Sequence, residues 1–414
     1  MKIKTFEEYL SSEIPFYEYD NENFLDFLSA VKFKLNAPFI HVTGTAGKSA
    51  IVEFLSNIYT SAGYKIGTIQ SSDFISEKSA ILEKYPGIAA FFEKNWKIIN
   101  KFELTISEVL FYFLLEEFNK NNFDLLIIET YMGGFFDVTN IDKKPVLAIV
   151  NNAGLEHCDT LGKSVSEIAL SKCGIIKDDS LVLLNSYDSD IEFVVNEETR
   201  KTKSKLVRVA EFYDYNIIDL EKLEIGYHPF PKFTVNSSAL YNRENVACVL
   251  EAINLLKNQF PVTNEQIQTG LNKPLSFGYF DVVKKGEKTI IFDKANNPFS
   301  IEKLCKSLRF SFEDTHENAS ILFAVSYEKN LEKMLSILSY VTHDIQLTTF
   351  DDDDARDEMG FYLFLQDYSF NPDFKDALNN ILASEKNVIL VTGNEKFVNL
   401  VKNYVNTLWF ILSK

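Results

Sequence analysis

Short apolar runs, each followed by a stretch of helical spacing, set the rhythm of the chain. Residues 39–42, 125–128, 146–150 and 181–184 are wholly or almost wholly apolar and only four or five positions long. Runs of this length and composition read as strands buried on both faces, as in a parallel sheet. Helix-period patterns lie between them. Over 49–62, Ile51, Phe54, Leu55 and Ile58 share one face, and 109–118 repeats the pattern. Strands alternating with helices predict an α/β fold around a mainly parallel sheet.

The pattern restarts after about residue 272. Segments 289–292, 321–325 and 388–391 are again strand-like, with helical stretches between them, and predict a second, smaller, Rossmann-like α/β domain. Segment 273–287, with Pro274, Gly278 and Gly286, reads as the linker. The expected domains are 1–276 and 285–414, in keeping with a chain of 414 residues, too long for one ordinary core.

Composition narrows the partners. A formal net charge of −17 disfavours nucleic acid and anionic membrane surfaces. It also requires any phosphate site to be locally positive. The four cysteines, Cys158, Cys173, Cys248 and Cys305, show no paired spacing, so neither a disulfide framework nor a zinc site is expected. Residues 1–8 are charged and lack an apolar core, which argues against a signal peptide. No uncharged stretch is long enough to span a bilayer. A cytoplasmic monomer is the expectation. The acidic run 351–354 reads as a solvated loop.

One segment carries recognisable chemistry. After the first predicted strand comes Gly44-Thr45-Ala46-Gly47-Lys48-Ser49, and a helical pattern begins at once. Glycines let backbone N–H groups approach phosphates, and a helix N-terminus adds partial positive charge. Lys48 can reach the terminal phosphates and Ser49 a metal or phosphate oxygen. The segment predicts a phosphate loop for ATP with Mg²⁺, formed by Gly44, Thr45, Ala46, Gly47, Lys48 and Ser49. The Walker spacing is not met, because only Thr45 and Ala46 separate the two glycines.

That shortened loop resembles the Mur ligase superfamily, and within it the folylpolyglutamate synthase and dihydrofolate synthase family. Further blocks carry the resemblance in order. They are E-T-Y-M-G-G-F-F-D-V-T-N at 129–140, N-A-G-L-E-H at 152–157 with L-G at 161–162, I-A-L-S-K-C-G-I-I-K at 168–177, N-R-E-N at 242–245 and D-K-A-N-N-P at 293–298. The resemblance implies an N-terminal P-loop ATPase domain and a C-terminal ligase domain. It implies a ligase that joins L-glutamate to the γ-carboxylate of a folate through an acyl phosphate. Ser71, Glu129, His157 and a carbamylated Lys172 would hold magnesium, Lys48, His157 and Lys172 would serve catalysis, and Asn245 and Asp293 would bind the nucleotide. Read without the resemblance, His157 is a hydrogen-bonded residue at a strand end and Lys172 an exposed helix lysine.

The chain departs from the family at three positions. Phe135 stands where the G-G-R arginine belongs, Tyr279 where the G-R-F-E arginine belongs, and Asn296 where the H-N-P histidine belongs. Lys294, in place of a glycine, is expected to restore positive charge near the phosphates. A ligase for another carboxylate and a non-catalytic nucleotide-binding homologue stand as alternatives. A P-loop kinase or GTPase would leave the second α/β domain unexplained.

Overall fold

A computed structural model of the chain describes residues 3–74 and 78–411. Packing groups them into two units, one of residues up to 211 with 248–270, the other of 212–247 with 271 onward.

The first unit is built on a sheet of parallel strands: β1 Phe39–Thr43, β2 Ile66–Ile69, β3 Leu125–Glu129, β4 Leu147–Val150, β5 Leu181–Leu184 and β6 Lys205–Arg208. Their order is β2-β3-β1-β4-β5-β6. Strands β1, β3 and β4 are buried at every position, which is why their sequences are continuously apolar rather than alternating. In this order β1 lies between β3 and β4. The chain therefore leaves the sheet at three neighbouring carboxyl ends, the place where open α/β sheets bind ligands. Register makes this concrete: Val42 pairs with Glu129 and Thr43 with Val150.

Helix Lys48–Ser61 follows β1 and buries Ile51, Phe54, Leu55 and Ile58 completely. Gly270 lets another backbone approach it, since a Cβ there would lie 2.5 Å from the Ile58 Cα. Helix Ile106–Asn121 is longer than its apolar pattern predicts, because Thr105 and Glu108 form a reciprocal capping box that starts it early. Phenylalanines fill the core beneath it, among them Phe6, Phe24, Phe27, Phe92 and Phe111.

The second unit holds β10 Tyr279–Lys285, β11 Lys288–Asp293, β12 Ala319–Phe323, β13 Ile345–Thr348, β14 Ser369–Asn371 and β15 Val388–Thr392 in the order β10-β11-β15-β12-β13-β14. All pairs are parallel except β10 with β11. The expected α/β class holds for both sheets. The linker reading of 273–287 does not: its residues 279–285 form β10, closed onto β11 by a turn at Gly286, whose φ is 58°. A second feature was not foreseen, the antiparallel sheet of β7 Asp214–Ile217, β8 Leu223–Gly226 and β9 Lys232–Val235. The four cysteines are free, three buried and Cys158 partly buried. Among the described residues no helix is long and apolar enough to cross a membrane.

Candidate active site

Strand β1 ends at Thr43, whose hydroxyl donates to the Gly133 carbonyl at 2.7 Å. The chain then turns through 44–47. Gly47 has φ 79°, a left-handed conformation that any side chain would strain, and it caps the N-terminus of helix Lys48–Ser61. Lys48 folds back so that Nζ donates to the Gly44 carbonyl at 2.8 Å and lies 3.9 Å from Glu129 Oε1. The same carboxylate oxygen accepts from Ser49 Oγ at 3.1 Å and from Ser71 Oγ at 2.9 Å. Ser71 opens the short 3₁₀ turn Ser71–Asp73 after β2, and Glu129 closes β3. Sheet order, rather than proximity in sequence, brings these groups together.

The donor set fits magnesium. Two hydroxyls and a carboxylate converge, all hard oxygens, beside a loop suited to phosphates. Among the described residues no group of three or more His, Cys, Asp or Glu is gathered to hold a metal. Mg²⁺ uses one or two carboxylates and takes its other ligands from water and substrate phosphates.

Lys172 and His157 stand around a residue the sequence reading passed over, Glu156. Lys172 ends helix Val165–Lys172 and is 1% exposed, not a surface lysine. Its Nζ donates to Glu156 Oε1 at 2.7 Å. Burial, with some help from the Lys48 charge, pushes the Lys172 ammonium below its usual range, while Glu156 opposes the shift. Burial pushes the Glu156 carboxyl up, but the charges of Lys172, Lys48 and His157 outweigh it and leave Glu156 below its usual range. His157 corrects the expectation that it ends a strand. It is exposed, has φ 43°, and precedes the short helix Cys158–Leu161, well beyond the end of β4.

The 131–140 loop presses on the Lys172 helix from the side. A Cβ on Gly134 would lie 2.6 Å from the Lys172 carbonyl oxygen, and Phe135 N donates to the Ser171 carbonyl at 3.0 Å. Phe135, in the arginine position, is 42% exposed. The loop is anchored within by Asp137, whose Oδ1 accepts from Thr139 N and Oγ1, while His41 Nε2 meets Thr139 Oγ1 at 2.9 Å.

Asn245 and Asp293 belong to the second unit. Asn245 lies inside helix Leu240–Leu256, buried, with Nδ2 on Asn242 Oδ1 at 2.9 Å. Asp293 ends β11 and is not a helix cap. Asn297 performs that role for helix Pro298–Ser311. Tyr241 Oη donates to Asp293 Oδ2 at 2.6 Å and Ala295 N to Oδ1 at 2.9 Å. Burial is the main reason that the Asp293 carboxyl rises to about 7. Lys294 lies over the Tyr279 ring, 4.4 Å from its centroid, and 3.3 Å from Glu395 Oε1. Its ammonium is thus engaged by Tyr279 and Glu395.

Known proteins share this fold. Residues 42–225 match the Mur ligase middle domain model. The match spans somewhat less than half of the chain. The matched stretch takes in the end of β1, the glycine loop that follows it, Glu129, His157 and Lys172. The chain is 24% identical to the Bacillus subtilis dihydrofolate synthase/folylpolyglutamate synthase, covering 87% of this chain and 89% of that protein. It is 25% identical to the Escherichia coli dihydrofolate synthase/folylpolyglutamate synthase, over 74% and 72% of the two chains. Among solved structures, Escherichia coli FolC in complex with ADP superposes with a TM-score of 0.79 at 20% identity, covering 97% of each chain. The Mycobacterium tuberculosis folylpolyglutamate synthase complexed with ADP and AMPPCP gives 0.79 at 17% identity, over 96% and 97%. The resemblance drawn from the motifs agrees with the match over residues 42–225 and with the likeness to the Bacillus subtilis protein over 87% of the chain, and the solved structures share the fold.

Proposed function

We propose that this protein is an ATP-dependent ligase that adds L-glutamate to the γ-carboxylate of a folate through an acyl-phosphate intermediate. The observation that carries the reading is the convergence of Lys48, Ser49 and Ser71 on Glu129 at the carboxyl ends of β1 and β3. It is the arrangement needed to hold a metal–nucleotide complex. The relatives' names supply the acceptor and the amine. In the reaction, the folate carboxylate attacks the γ-phosphorus of ATP and ADP leaves. The glutamate amine then attacks the acyl carbon, and inorganic phosphate leaves with the original carboxylate oxygen.

Each residue has a definite task. Lys48 offsets charge on the transferred phosphoryl group, and amides at the start of helix Lys48–Ser61 orient it. Ser49, Ser71 and Glu129 would hold Mg²⁺, which when bound neutralises phosphate charge. Lys172 is the candidate for carbamylation, in which CO₂ joins Nζ and a proton leaves, and burial favours the neutral amine this requires. His157 would complete the metal set, and Asn245 and Asp293 would meet the nucleotide. We place the protein in the cytoplasm as a monomer, a compartment that suits its free cysteines.

The test is ADP release with tetrahydrofolate and L-glutamate, then with each omitted in turn. Release that needs both supports the reading, and dihydropteroate in place of folate tests the dihydrofolate synthase activity. Tight ADP binding with no turnover on either acceptor would instead favour the nucleotide-binding homologue, for which the changes at Phe135, Tyr279 and Asn296 are the motive.

A further inference from the structure

The turn after β4 grips the phosphate loop from outside. Asn152 Oδ1 accepts from Thr45 N at 3.0 Å and from Ala46 N at 2.9 Å. Its Nδ2 donates to the Ala46 carbonyl at 3.0 Å, and Asn151 Nδ2 donates to the same oxygen at 2.6 Å. Asn151 is itself oriented by Asn185, whose Nδ2 donates to Asn151 Oδ1 at 2.6 Å. Gly154 N donates to Thr45 Oγ1 at 2.9 Å and adds a second strap. Gly44 permits the approach, since a Cβ there would lie 2.9 Å from the Asn151 Cβ.

Both polar groups of the Ala46 peptide, and the Thr45 N–H, are therefore committed to protein. A loop with only Thr45 and Ala46 between its glycines has little chain with which to brace itself. Its one internal tie among the described residues is Lys48 Nζ on the Gly44 carbonyl. The amides of Gly47, Lys48 and Ser49 are differently placed. They lie at the start of a helix, where N–H groups have no intrahelical acceptor.

We infer that Asn152 is the positioning residue of the phosphate loop: it holds the Thr45–Ala46 turn so that only the Gly47, Lys48 and Ser49 amides, with Lys48 Nζ, receive the phosphates. This rests on the nucleotide-binding reading above and adds a division of labour within the loop. A carboxamide is required because one group must accept from two amides and donate to a carbonyl. A carboxylate could accept from both N–H groups. It would, however, face the Ala46 carbonyl without a proton and set a negative charge beside the anion site.

Pyrophosphate and Mg-ADP binding, measured by calorimetry on the full chain, test the idea with Asn152→Ala and Asn152→Asp. Asn152→Ala should weaken both ligands by about tenfold, the loss of roughly one well-placed interaction. Asn152→Asp should lose more than this at ~20 mM salt and approach the alanine value near ~300 mM, because the added term is a screened charge. A purely structural role would give losses whose difference does not depend on salt. Parent-like affinity in both variants, or tighter binding by Asn152→Ala, overturns the inference. Should the variants fail to fold, hydrogen exchange on the unaltered protein decides the matter. Thr45 and Ala46 amides should be protected with or without pyrophosphate, and Lys48 and Ser49 only with it. Protection of Thr45 and Ala46 that depends on pyrophosphate overturns the inference. A parent protein that binds neither ligand sinks the nucleotide reading itself, an outcome distinct from unaltered binding by the variants.

Discussion

At the scale of single residues, buried ionisable groups and their partners set the sensitivities. Lys172 is 1% exposed and depends on Glu156 for its counter-charge. Glu156→Gln should therefore destabilise the protein by ~3–5 kcal/mol, the cost of an uncompensated buried charge, as read from urea unfolding. The double change Glu156→Gln with Lys172→Met should recover most of that loss. His41 is buried in β1, and burial, with the charge of Lys177, lowers its pKa to about 3. An unfolded chain protonates this imidazole near its ordinary value of ~6.5. The neutral folded form is thus favoured above that value, and stability drains as the pH falls from ~6.5 toward 3, by at most ~1.4 kcal/mol per pH unit. Thermal melts across that window should show the slope, and His41→Gln should flatten it. Glu129 was legible from sequence because it closes a run of apolar residues and sits in a motif. Glu156 and Asn152 lie in motifs too, but nothing local says which side chains of a turn face a loop 107 positions away.

At the scale of elements, the loop 131–140 and the turn Cys173–Ile175 are fitted backbone to backbone. A Cβ on Gly174 would stand 2.2 Å from Phe135 N and 2.3 Å from its Cα. Neither backbone can give way as a flexible side chain would, so Gly174→Ala should cost about 1–3 kcal/mol in chemical denaturation. It should also lower ATP turnover, because Lys172 lies two positions upstream. The same scale explains what the sequence reading missed. Gly278 and Gly286 looked like linker punctuation, yet they bracket a strand, with φ of 98° and 58° at its two ends. Glycine marks a tight hairpin as readily as a flexible connection. The sheet of β7, β8 and β9 escaped notice because its strands are only four residues long: β7 is mostly exposed, and the apolar alternation of β8 and β9 spans only two buried positions in each.

At the scale of the whole molecule, the charge distribution governs encounter. The net charge is −17, while the proposed phosphate site has Lys48 and Lys172 close to Glu129 and Glu156. An anionic nucleotide meets long-range repulsion before it meets the loop. Stopped-flow measurements should therefore show the ADP association rate rising as salt increases from ~10 to ~100 mM, over which the Debye length falls from ~30 to ~10 Å. A rate that falls with salt would mean that the local positive field reaches beyond the site and dominates.

The apolar pattern alone marked β1, β3, β4, β5, β11, β12 and β15 and the alternation of strand with helix, but not the parallel strands β2, β6, β13 and β14, because strand burial and helix periodicity are short-range properties that only strongly apolar consecutive residues display. The G-T-A-G-K-S segment likewise determined a glycine loop between a strand and a helix start, since the three are contiguous. Only the tertiary structure decided that Ser49 and Ser71 share an oxygen of Glu129, that Lys172 is buried against Glu156, and that Asn152 braces Thr45 and Ala46. These contacts follow from the order β3-β1-β4, which sets three carboxyl ends side by side. Strand order is a global choice among packings, and no stretch of consecutive residues encodes it.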